Sequence, residues 1–156
     1  MPQIKDQLRR ELTAAIKSHD TLRSGTIRMA LSAITTAEVS GKKQHTLADD
    51  EVVDVLSTEV KKRREAAEAF DGGNRPEQAE KERQEAAILT EFLPEQLDTD
   101  EIAAIVSDAI TATGAADEGM RAMGRVMGAV TPQTKGRADG SAVAAEVKRQ
   151  LGNGTY

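Results

Sequence analysis

Only three aromatic residues, Phe70, Phe92 and Tyr156, occur in 156 positions, and that scarcity limits the core this chain can build. Whatever it buries must be Ala, Val, Ile, Leu or Met. Small and aliphatic side chains suit closely packed helices, whereas sheets favour aromatic and β-branched residues. The spacing agrees. Ile4, Leu8, Leu12 and Ile16 recur every four residues, on one face of a helix.

Six more segments read the same way, and none reads as a strand. The second helix is expected over about Thr21 to Val39, stopped by SGKKQH, and the third over about Asp49 to Phe70, stopped by DGGN. Ala48 stands where the third helix needs a capping side chain, so Asp49 is the candidate cap. Pro76 opens a charged fourth helix that reaches about Phe92. After the break at LPEQL, Asp98 and Glu101 form a capping box for a fifth helix, which ends at Gly114. A sixth covers about Asp117 to Val130, and Thr131-Pro132 begins a loop. A seventh spans about Gly140 to Leu151 behind Asp139 as cap. The expected fold is therefore all-α: a long-helix N-terminal unit (1–96), a compact three-helix C-terminal domain (97–151) and a flexible tail (152–156).

The residue inventory excludes much chemistry. There are no cysteines, hence no disulfide framework, thiolate zinc site or cysteine nucleophile. His19 and His45 have neither metal-ligand spacing nor a nucleophile beside them. The phosphate-cradling patterns GxxxxGK[ST] and GxGxxG are absent. No catalytic residue, metal or cofactor is assigned. No apolar run suits a signal peptide or a membrane span, which reads as a cytoplasmic protein with no membrane partner.

The net charge is −5, which opposes nucleic-acid binding unless charge is segregated. It is. From Asp98 to Glu118 there are acidic residues and no basic one, whereas basic residues dominate from Arg121 onward. Within that basic stretch, RAMGRVMGAVTPQTKGRADG places Gly124 and Gly128 inside a helical pattern, at about 1 kcal/mol each relative to alanine. On a helical wheel the two glycines fall between the methionine face (Met120, Met123, Met127) and the strip carrying Arg121 and Arg125. Two readings stay open. A neighbouring helix passes close over the missing Cβ atoms, or a phosphate backbone lies there, gripped by the arginines and by Lys135, Gly136 and Arg137 of the next loop.

Arg63 is the other singled-out residue. It falls on the apolar stripe of the third helix with Leu56, Val60, Ala67 and Phe70. It is expected to pair with an acid of the fourth helix, or to line an interdomain gap or partner surface. The rest of the run Lys61-Lys62-Arg63-Arg64 reads as a solvated face, with i,i+4 pairs Glu59–Arg63, Lys61–Glu65 and Arg64–Glu68.

MGRVMGAVTPQTKGRADGSAVAAEVKRQL resembles the C-terminal signature of YqeY-like proteins. It is similar to the tail domain of the B subunit of the glutamine-dependent tRNA amidotransferase (the GatB/YqeY family). TLRSGTIRMALSAITTAEV, EVKKRREAAEAF and AILTEFLPEQLDTDEI resemble the same pattern in order and spacing. The resemblance implies an all-helical protein with a tRNA-binding-like C-terminal module and none of the amidotransferase's chemistry-bearing domains. The expected partner is tRNA or another structured RNA. The alternatives are an adaptor docking on a synthetase or amidotransferase as a protein partner in tRNA aminoacylation, and a carbon–nitrogen ligase activity with glutamine as amido-N-donor.

Overall fold

A computed structural model describes residues 3–153. They form seven α-helices, with no strand among the described residues: α1 Gln3–Lys17, α2 Thr21–Val39, α3 Asp49–Gly72, α4 Pro76–Thr90, α5 Thr99–Ala112, α6 Met123–Thr134 and α7 Gly140–Asn153. A 3₁₀ turn, Gly119–Ala122, leads into α6. The chain divides into two compact units, Met1–Leu93 and Pro94–Tyr156.

The first unit is built around the α3–α4 hairpin. Leu8 of α1, Ile27 and Ile34 of α2, Leu56 of α3 and Leu89 of α4 are all fully buried, and Phe92 closes the end of the cluster. Burying a side chain of this size contributes about 1.5–3 kcal/mol, and these residues join all four helices in one core.

The helix stops are made by unexpected residues. In the DGGN turn it is Asn74, not a glycine, that takes the left-handed conformation (φ 60°). The Arg75 amide then reaches back to the Phe70 carbonyl at 2.8 Å. His19 does the same after α1 (φ 59°), with the Asp20 amide on the Ala15 carbonyl at 2.9 Å. Both are six-to-one closures of the Schellman type, and Asn and His are among the non-glycine residues that tolerate that region best.

Asp49 does not cap its own helix. Its Oδ1 accepts the Ile4 amide of α1 at 3.1 Å, while Glu51 reaches back to the Ala48 amide at 3.2 Å. One acid thus serves a neighbouring helix start, where the dipole favours it, and another serves the local end. Glu38, on the inward face of α2, accepts Lys5 Nζ at 2.8 and 2.9 Å and the Leu47 amide at 3.0 Å. It ties α1 and the segment before α3 to α2. Those donors hold its carboxyl below the usual carboxylate range, Lys5 foremost and the Leu47 amide next.

In the second unit α5, α6 and α7 bury Val106, Val126, Val130, Val143, Val147 and Leu151. The expected Asp98–Glu101 capping box forms, with reciprocal bonds of 2.8 and 3.2 Å. Beyond the end of α5, Gly114 turns left-handed (φ 67°), with the Ala115 amide on the Ile110 carbonyl at 3.0 Å. α7 runs through Gly152 and Asn153, so the expected tail does not begin at 152. Its remaining residues, 154–156, lie outside the described ones. No helix among the described residues is long and apolar enough to cross a membrane.

Candidate nucleic-acid interface

α6 differs from its expected form at both ends. Gly119 takes φ 60° and interrupts the helix, so Arg121 sits in the 3₁₀ turn rather than on α6. It is not in helical phase with Arg125. At the other end the helix passes through Pro132 to Thr134 instead of stopping at Val130. A proline there has no amide for the carbonyl four residues earlier, and its ring crowds that carbonyl. The residue four positions earlier is Gly128. A Cβ built at Gly128 would meet nothing within 4 Å, Pro132 included, so the proline does not require a glycine there. Neighbouring side chains hold the last turn: Thr131 Oγ1 donates to the Met127 carbonyl (2.7 Å), Gln133 Nε2 to Ala129 (3.2 Å) and Thr134 Oγ1 to Val130 (3.1 Å).

The two glycines are not packed under another helix. A Cβ added at Gly124 likewise meets nothing within 4 Å, and both residues are exposed. At 3.6 residues per turn, Gly124, Gly128 and Thr131 fall within roughly 60° of one another. They form an open strip two turns long with almost no side chain on it, flanked by exposed Arg125 and Pro132. The opposite face of α6, Val126 and Val130, is fully buried. Met123 and Met127 pack partly buried against the same core, whereas Met120 in the turn is 48% exposed.

The cations around the strip have different commitments. Arg121 is exposed, and its guanidinium has no hydrogen-bond or ion-pair partner among the described residues. Arg125 Nη2 donates to Glu118 Oε2. Lys135 is exposed at the C-terminal end of α6, its amide on the Thr131 carbonyl at 3.0 Å. Arg137 is half-buried. Its Nε donates to the Glu95 carbonyl and its Nη1 to the Gln133 carbonyl, both at 3.3 Å, and its own carbonyl accepts the Leu97 amide at 2.8 Å. It braces the segment before α5 against the end of α6. Gly136 is buried at φ 75°, and its carbonyl accepts Gln96 Nε2 at 2.8 Å. It makes the turn that aims Arg137 and does not offer a surface itself. On α7, Arg149 is occupied by Glu146, with Nε on Oε2 at 2.9 Å, which holds the Glu146 carboxyl below the usual range.

The structure thus gathers Gly124, Arg125 and Gly128 on one exposed face of α6. It sets Arg121 just before that helix and Lys135 at its end, and it commits Gly136 and Arg137 to a turn. Glu118 was missed by sequence reasoning. The only available signal was an acid seven residues before Arg125, a spacing that no regular helix brings into contact.

Arg63 lies inside the first unit, 4% exposed. Its Nε donates to Glu85 Oε2 of α4 at 3.2 Å, and its Nη1 donates to the Glu59 carbonyl and Oε1, both at 3.1 Å. Glu59 also takes Lys62 at 3.3 Å. No bond joins Lys61 to Glu65 or Arg64 to Glu68 among the described residues. None of those residues provides a group of three or more His, Asp or Glu side chains able to hold a metal ion.

A family profile described as Yqey-like protein matches residues 5–151 of the chain. An uncharacterized protein of Schizosaccharomyces pombe is 35% identical over 95 residues, an alignment covering 61% of this chain and 76% of that protein.

Proposed function

Since the chain belongs to the Yqey-like protein family, we propose that its second unit is a docking module for structured RNA, tRNA foremost, with no chemistry of its own. The observation that carries this is the open strip on α6. Two exposed helical glycines, with nothing packed over either, bring bare backbone to the surface beside an arginine. Guanidinium forks match phosphate oxygens, and a ribose–phosphate backbone is narrow enough to lie against a helix without side chains. The segregation of acidic residues before Glu118 and basic ones after it supports the same reading, as does the resemblance to the amidotransferase tail domain. With three aromatic residues in the chain, an aromatic stacking platform is not the proposed mode of recognition. Backbone and shape are what the module reads.

The test is binding of the intact chain to unfractionated tRNA across a salt series, beside an Arg121→Glu/Arg125→Glu variant. Binding is expected to weaken with salt at a slope of roughly one per phosphate contacted, and to be lost in the variant. No binding by the intact chain at low salt overturns the proposal.

A further inference from the structure

The two arginines beside the strip are not equivalent. Arg121 has no side-chain partner among the described residues, whereas Arg125 is joined to Glu118. Glu118 stands at the entry to the 3₁₀ turn but makes no capping hydrogen bond with its side chain. Its carboxylate is therefore spent on Arg125 and not on holding the turn. Both side chains are well exposed, 49% for Arg125 and 39% for Glu118, so a ligand can reach the pair.

We propose that Glu118 is a specificity-determining residue of this surface: it occupies Arg125, and yields it only to a ligand oxyanion that takes the place of the carboxylate. This rests on the RNA-docking reading. The chemistry is an exchange of anions. A phosphodiester oxygen replaces a carboxylate oxygen on the same guanidinium, so the ligand gains little from Arg125 alone. It gains from Arg121, where no anion has to be displaced. A ligand with one accessible phosphate engages Arg121. A ligand whose phosphates are spaced to meet both arginines also opens the Glu118 pair, and the released carboxylate then stands close to the ligand as a like charge. Glu118 thus penalises casual polyanions and leaves ligands whose geometry satisfies both positions.

The experiment is a cycle on the intact chain, comparing Glu118→Gln, Arg125→Gln and the double variant, each titrated with unfractionated tRNA over a salt series. The exposed pair is of the kind worth less than about 1 kcal/mol, so Glu118→Gln is expected to tighten binding by roughly two- to fivefold. Inorganic polyphosphate, titrated alongside as a casual polyanion, is expected to gain more from Glu118→Gln than tRNA does, and an equal gain overturns the specificity role. The gain is expected to vanish in the Arg125→Gln background. An unchanged affinity in Glu118→Gln overturns the inference while leaving RNA docking intact, as does equal tightening with and without Arg125, which marks a net-charge effect. Failure of the unaltered chain to bind tRNA at low salt overturns the docking reading, and this inference with it.

Discussion

At the scale of single residues, the first unit depends on two buried ion pairs that differ in purpose. Arg63 lies on the core stripe of α3 because its guanidinium finds Glu85 and Glu59 there. Removing one partner of such a buried pair strands the other charge, and Arg63→Ala is expected to cost about 3–5 kcal/mol in denaturant unfolding. Replacing both by apolar residues of similar size, Arg63→Met with Glu85→Leu, is expected to recover most of that loss. Recovery identifies the pair as a solution to packing. Equal loss in both variants identifies it as a stabilising network. Glu38 instead couples stability to pH. Its folded-state pKa is depressed by Lys5 and the Leu47 amide. The stability it contributes is therefore fully present above its ordinary value, about 4.3, and is lost as pH falls through the lower folded value. Glu38→Gln is expected to lower stability at neutral pH and to flatten the loss of stability below about pH 4.3. Thermal unfolding measured from pH 7 to pH 3 reads both effects.

At the scale of elements, the sequence carried most of the helices and misplaced the one that matters most. Apolar spacing, Pro76 and the Asp98–Glu101 box were enough to find seven helices, because each signal is local. α6 failed at both ends for reasons that residue spacing does not show. Its start depends on Gly119 adopting a left-handed backbone, which the letter G alone does not declare. Its end depends on three side chains bonding to carbonyls of the preceding turn past Pro132. Asp49 was misassigned for the same kind of reason, since its partner is forty-five residues away. The Arg125–Glu118 pair crosses the junction between a 3₁₀ turn and a helix, and helical periodicity cannot foresee it. The glycine strip itself was legible, but whether a helix covered it was not. Pro132→Ala restores the amide that the Gly128 carbonyl lacks. Pro costs about 3 kcal/mol inside a helix, offset in part by the stiffness it gives the unfolded chain. The variant is expected to stabilise the protein by about 1–2 kcal/mol, measured by denaturant unfolding. No change or a loss contradicts it.

At the scale of the molecule, a net charge of −5 conceals a division of labour. The first unit is a bundle with ion pairs between its helices, among them Arg23 with Glu11 and Glu91, and Arg83 with Asp71. The second unit presents a helix with one face fully buried and the other nearly bare. The central claim is that this bare face is kept for a ligand at the expense of stability. One paired measurement tests it: unfolding free energy and tRNA affinity of the Gly124→Ala/Gly128→Ala variant. Both positions are helical with open space above them, so each alanine is expected to stabilise the fold by roughly 0.5–1 kcal/mol. The added methyl groups stand where the RNA backbone is proposed to lie, and tRNA affinity is expected to fall at least about tenfold, equivalent to 1.4 kcal/mol. A more stable protein that binds tRNA less tightly is the predicted result. A more stable protein that binds tRNA as well as before contradicts the account.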